Sequence, residues 1–402
     1  MVKKTTTEEV KCVAIVGTGL MGSGIAQAFA VGGYNVNILS RTKDSLEKAF
    51  QEITWSLNKF VENQTITKKK ADATLSKIRT TTNYETAVKD ADLVVESVSE
   101  NMELKKRVFK KIDELAPSNS IIATNTSTLS VTEMGKATKR PQKTVGMHWF
   151  IPPQLTKLIE VIKGNDTSNE TINTIFELSQ KLGKTPILCK KDTSGFIVSR
   201  ILVAVFNEAF WTYNRKEASM KEIDASTKYN GKFPMGWFEL VDFVGVDTEY
   251  EVSKILHKNL GERFRPCLNI TEPLVTEKKL GKKTGTGFYN WTKGRPNIPT
   301  QLAGKYDVER SWAVAVNEAA WMILEEVAEP ESIDTGMKLG TGWTHGPCEY
   351  ADNKGLDTML QKLEKAHKRY PIELYKPCPL LKDYVNKGWT GKKTGQGFHK
   401  YP

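Results

Sequence analysis

The run Cys12-Val13-Ala14-Ile15-Val16-Gly17-Thr18-Gly19-Leu20-Met21-Gly22 decides the fold. An apolar stretch of strand character leads into Gly-x-Gly-x-x-Gly, and the residues from Leu20 to Val31 continue with helical periodicity. This strand, turn and helix order is the context that a dinucleotide fingerprint requires. Gly17 permits the tight turn, Gly19 lets backbone approach a pyrophosphate, and Gly22 lets the helix pack on the strand. The helix that opens at Leu20 and Met21 offers amides and partial positive charge to phosphates.

Outward from that run, short β-branched stretches alternate with amphipathic ones. Strands are predicted at Cys12–Val16, Asn35–Leu39, Ile78–Thr81, Leu93–Glu96, Ile121–Thr124, Thr144–His148, Lys157–Ile162 and Pro186–Cys189, with helices such as Leu20–Val31 and Asn101–Leu115 between them. The pattern predicts an α/β doubly wound, Rossmann-type domain over residues 1–190. After Lys190 the texture turns helical, beginning with a long predicted helix over Phe196–Arg215.

The second half repeats itself at a constant offset of 110 positions, which lays Asn207-Glu208-Ala209 on Asn317-Glu318-Ala319 and Trp211 on Trp321. The same shift carries Asp224 to Asp334, Asp242 to Asp352, and Gly281-Lys282-Lys283-Thr284-Gly285 to Gly391-Lys392-Lys393-Thr394-Gly395. Gapless agreement over that length means duplication. Two tandem all-α domains are therefore expected, at 191–293 and 294–402, with Trp291–Pro299 as the linker between the copies.

A length of 402 residues accommodates such a three-part chain at roughly 150 residues per domain. No apolar stretch approaches the run of about 20 residues that spans a bilayer. Residues Met1 to Val10 alternate Lys, Thr and Glu and carry no targeting pattern, so a cytoplasmic location is expected. Five widely spaced cysteines form neither a disulfide framework nor a zinc site, and no metal is expected. The net charge of +11 is compatible with nucleic acid, acidic lipid or a polyphosphate ligand, and by itself does not choose. ATPase, metalloprotease, serine hydrolase and zinc-finger motifs are absent, and no nucleic-acid or membrane partner is expected.

The residue closing the second strand discriminates between nicotinamide cofactors, because a carboxylate there binds ribose hydroxyls and repels a 2′-phosphate. Ser40 and Arg41 stand at that point. A hydroxyl beside a guanidinium favours NADP, with NAD as the alternative. His148 and Glu160 lie symmetrically about Gln154 in Pro152-Pro153-Gln154. An antiparallel reversal there sets imidazole opposite carboxylate, the arrangement of a general base and its orienting partner.

These residues resemble the 3-hydroxyacyl-CoA dehydrogenases. The resemblance runs over residues 11–402 through Gly17 to Gly22 with Gly24-Ile25-Ala26-Gln27, Val94-Val95-Glu96, Glu100-Asn101, Asn125-Thr126-Ser127, His148-Trp149-Phe150, Leu158-Ile159-Glu160-Val161-Ile162, and Asp192 with Gly195-Phe196-Ile197-Val198. It implies that His148 is the general base, Glu160 its partner and Ser127 a hydroxyl donor to the substrate oxygen. It further implies that Glu100, Lys105 and Lys283 lie along the cofactor and that Ser56 touches the CoA moiety. The expected reaction is oxidation of a short (S)-3-hydroxyacyl-CoA, such as 3-hydroxybutyryl-CoA, or the reverse reduction. Two departures stand beside Ser40. Ile151 occupies a usual Asn position, and so does Ser199, which leaves a shorter hydroxyl, or a water, to face the substrate carbonyl. The alternatives are a dehydrogenase of a free hydroxy or sugar acid and an inactive nucleotide-binding subunit. Family members pair two chains through the helical domain, so the tandem copies permit a monomer, with a homodimer through another face still open.

Overall fold

Eight strands, β1 (Cys12–Val16), β2 (Asn35–Leu39), β3 (Ile78–Thr81), β4 (Leu93–Glu96), β5 (Ile121–Thr124), β6 (Thr144–Trp149), β7 (Leu158–Ile162) and β8 (Thr185–Cys189), form one sheet in the order β3-β2-β1-β4-β5-β6-β7-β8. The structure is a computed structural model that describes residues 10–402. The segment through residue 9, read above for targeting signals, lies outside the described residues. Neighbours from β3 through β6 pair in parallel, β7 runs antiparallel to β6, and β8 pairs in parallel with β7.

The central strands β1, β4 and β5 are buried along nearly their whole length because both faces of the sheet are covered there, whereas the edge strand β3 exposes Arg79 and Thr80. Val13, Ile15, Val36, Ile38 and Val95 enter one core with Ile25 and Phe29 of helix α1 (Leu20–Val31) and Leu46, Ile53 and Leu57 of helix α2 (Lys43–Glu62). Ala14, Val16, Leu39 and Val94 point the other way, into a second core with Val108, Phe109 and Ile112 of the helix Met102–Leu115. Two-residue alternation thus sorts each strand between two hydrophobic layers.

The chain divides into two units between Thr193 and Ser194. In the second, the long helices Val198–Asn214 and Val308–Leu324 stand 110 positions apart at both ends. The first begins later than its sequence pattern predicts, because Gly195 and Phe196 take positive φ values of 77° and 49° and turn the chain before the helix starts. Apolar periodicity does not register that turn.

The repeated acids are buried acceptors of paired backbone amides, and Asp224 and Asp334 cap the helices Trp237–Val244 and Pro347–Lys354. Asp224 accepts the Phe238 and Glu239 amides at 2.9 Å each, and Asp334 accepts those of Cys348 and Glu349 at 2.8 and 3.0 Å. Asp242 takes the Phe288 and Tyr289 amides, and Asp352 those of Phe398 and His399, all at 2.8 Å. Trp291, read above as linker, is buried and donates its indole N–H to Asp242 at 2.9 Å, so it belongs to the first copy's core. Further on, Tyr229 donates to the Ile298 carbonyl at 2.8 Å, which ties down the connection itself. No helix among the described residues is long and apolar enough to cross a membrane.

Candidate active site

Strand order reverses at β1, whose neighbours β2 and β4 carry the chain away on opposite sides. The crevice outside the carboxyl ends of such strands is where open α/β sheets bind ligands. Gly17 follows β1 with φ of 122°, and a Cβ there would lie 2.3 Å from the Ser97 carbonyl oxygen that follows β4. A Cβ on Gly22 would meet the Gly17 carbonyl at 2.1 Å, whereas one on Gly19 would meet nothing within 4 Å. The loop is thus closed against protein at Gly17 and Gly22 and open at Gly19. Helix α1 begins there with no side-chain cap and no acid in its first turn. These residues fit a dinucleotide pyrophosphate.

Ser40 follows β2, and its hydroxyl accepts from Thr18 Oγ1 at 3.2 Å, which joins the glycine loop to the cofactor-discriminating position. Arg41 is exposed and pairs with no carboxylate among the described residues. Thr18 was not singled out in the sequence, since the middle residue of Gly-x-Gly carries no pattern of its own.

β6 and β7 pair with His148 opposite Glu160, and the reversal between them contains Gln154. His148 Nδ1 lies 2.6 Å from Glu160 Oε2. Glu160 is fully buried and the imidazole is almost so, at 7% exposure, while the Phe150 ring is tilted against it at 4.4 Å. Lys184 pins the reversal by donating to the Pro153 and Thr156 carbonyls at 2.7 Å each. Its burial pushes that ammonium down to about 8.

Ser127 follows β5 in a turn tied on both sides. Asn125 Oδ1 accepts the Trp149 amide, next to His148, at 2.8 Å, and Glu100 Oε1 accepts the Ser127 amide at 3.1 Å. Glu100 also takes the Thr126 and Thr128 hydroxyls at 2.5 and 3.3 Å, and its other oxygen meets Lys105 Nζ at 3.2 Å. Burial alone would raise the Glu100 carboxyl, but the Lys105 charge and the bonds from Thr126 and Ser127 hold it below the usual carboxylate range. Lys105 is 1% exposed and bound by Glu96 as well, so all its partners are internal.

Of the remaining expected residues, Ser56 is buried on α2. Lys283 and Ser199 belong to the second unit, where Lys283 Nζ pairs with Asp247 at 2.6 and 2.7 Å and Ser199 sits in the first turn of Val198–Asn214. The sequence pattern assigns no role to Glu96, Thr124 or Asn125, which the structure brings to the site. An acid ending the apolar run Leu93–Val95 was the available signal, because a buried charge requires a partner.

Fold and site define a nucleotide-binding oxidoreductase. The family model for the 3-hydroxyacyl-CoA dehydrogenase NAD binding domain matches residues 12–193, and that for the C-terminal domain matches twice, at 195–291 and 306–401. The chain belongs to the 3-hydroxyacyl-CoA dehydrogenase family. It is 40% identical over 281 residues to a 3-hydroxybutyryl-CoA dehydrogenase of Clostridioides difficile, covering 70% of this chain and 99% of that one. A mitochondrial hydroxyacyl-coenzyme A dehydrogenase of Sus scrofa is 41% identical over 289 residues, 70% of this chain and 91% of the relative. The crystal structure of 3-hydroxybutyryl-CoA dehydrogenase from Escherichia coli superposes with a TM-score of 0.88 at 27% identity, covering 94% of this chain and 99% of that one. That coverage takes in both helical copies.

Proposed function

We propose that the chain oxidises short (S)-3-hydroxyacyl-CoA thioesters, 3-hydroxybutyryl-CoA to acetoacetyl-CoA, reversibly and with NADP preferred over NAD. The observation that carries this reading is the buried 2.6 Å contact between His148 Nδ1 and Glu160 in a chain of this family. With Nδ1 engaged, Nε2 is the ring atom that takes the substrate's hydroxyl proton. Glu160 orients the ring and stabilises its charged form, while Ser127 donates to the same substrate oxygen. The dinucleotide, when bound, supplies the hydride acceptor for oxidation and the donor for reduction.

Ser40 and exposed Arg41 support the cofactor preference, since a guanidinium without a carboxylate partner forms charge-assisted bonds to a 2′-phosphate. We assign 1–190 to cofactor binding and 191–293 and 294–402 to two helical copies whose mutual contact replaces a second chain, giving a monomer. The test is acetoacetyl-CoA reduction with NADPH and with NADH side by side. A higher kcat/KM with NADPH is expected. Equal rates remove the preference, and silence with both removes the dehydrogenase reading.

A further inference from the structure

We propose that Glu96 is a positioning residue, the buried and anchored end of a ladder of alternating charge, Glu96–Lys105–Glu100, that sets the turn presenting Ser127. The inference rests on the dehydrogenase reading above.

Glu96 ends β4 and is fully buried. Its carboxylate accepts the Val98 amide at 2.7 Å, the Thr124 hydroxyl at 2.7 Å and Lys105 Nζ at 2.8 and 3.0 Å. A buried carboxylate is tolerated when its lone pairs are filled in this way and a counter-charge lies beside it. Lys105 then meets the Val98 carbonyl at 3.3 Å and Glu100 Oε2 at 3.2 Å. Three ammonium protons face three internal acceptor groups, so the side chain is held in one place.

Glu100 passes that constraint on. Its Oε1 gathers the Thr126 hydroxyl, the Ser127 amide and the Thr128 hydroxyl, which fixes three successive residues of one turn. The same turn grips the end of β6 through Asn125 and the Trp149 amide. The Ser127 hydroxyl and the His148 imidazole are therefore referred to one another through Asn125, and the ladder holds the turn from below. Removing the charge at Glu96 leaves Lys105 with one carboxylate, draws it toward Glu100 and loosens the grip on Ser127. A general acid–base site loses rate when such a donor is misplaced by a fraction of an ångström.

The test is a double-mutant cycle on acetoacetyl-CoA reduction, using the full chain with Glu96→Gln, Ser127→Ala and both together. Glu96→Gln is expected to lower kcat about tenfold or more with KM for the nicotinamide cofactor unchanged, and to cost little in the Ser127→Ala background. A merely structural role would give independent, multiplying losses in the two backgrounds, and that result overturns the proposal. Should Glu96→Gln fail to fold, Glu100→Gln, whose side chain is 38% exposed, runs the same cycle with the same expected coupling. A normal rate in Glu96→Gln with an active unaltered enzyme refutes the ladder alone. An inactive unaltered enzyme refutes the dehydrogenase reading itself.

Discussion

Arg200 Nε donates to Glu318 Oε1 at 2.5 Å, and Arg310, 110 positions further on, donates to Glu208 Oε1 at the same distance. Glu208 and Glu318 are themselves 110 apart, so the two ion pairs are one contact made twice, once in each direction between the helical copies. Reciprocity of this kind defines an isologous two-fold interface. Here it is written into a single chain. Both glutamates and Arg200 are buried, and Glu208 also accepts from the Tyr375 and Tyr306 hydroxyls.

Breaking such a pair strands a charge. Arg310→Met, which leaves buried Glu208 with hydroxyl partners, is expected to destabilise the fold by about 3–5 kcal/mol, the usual cost of an uncompensated buried ion, and Glu318→Gln by less, because Arg200 keeps its pair with Glu325. Thermal melting checks this, and a loss below about 1 kcal/mol would class the pairs with ordinary surface bridges. Sedimentation should find one chain of 45.1 kDa. A dimer mass at micromolar concentration contradicts the internal pairing as a replacement for a second subunit.

His148→Ala and Glu160→Gln are expected to slow turnover on the order of 10²-fold or more while the cofactor still binds. Single-turnover rates and NADPH fluorescence titration separate the two effects. Near-normal turnover in both variants removes the dyad from the mechanism.

Ser40→Asp places a carboxylate where a 2′-phosphate is expected. It should raise KM for NADPH about tenfold or more and improve the use of NADH, as like-charge contact costs several kcal/mol. An unchanged NADPH/NADH ratio means that this position faces no phosphate.

Glu249 occupies the position that Met359 fills in the second copy, and both are buried. Its Oε1 finds no hydrogen-bond partner among the described residues, and burial pushes the carboxyl well above the usual range. Above about pH 4.3 the unfolded chain has given up this proton while the folded chain keeps it. Stability therefore falls as pH rises from there toward the folded value. Glu249→Met should relieve about 1–3 kcal/mol, and the gain in melting temperature should be larger near pH 8 than near pH 5. A gain that is flat with pH shows the carboxyl to be paired.

Much of the site was legible because strand register is arithmetic. Two residues equidistant from a reversal end up opposite one another, and His148 and Glu160 needed only Gln154 as the centre. The glycine run declared its own backbone geometry, since Gly17 stands where a side chain would strike Ser97. Periodicity also placed the strands, although it missed the turn at Gly195 and Phe196 and set Trp291 in a linker. A left-handed residue and a buried indole bond leave no mark on an apolar pattern.

By itself, the sequence determined the doubly wound sheet, the glycine turn and the duplication, because each is a local rule repeated at fixed spacing. Tertiary structure alone decided the partners of the buried charges. Glu96 with Lys105, and Arg200 with Glu318, are 9 and 118 residues apart. No spacing rule joins them. Charges enter a core only with a counter-charge beside them, and the assembled chain is what brings that counter-charge near.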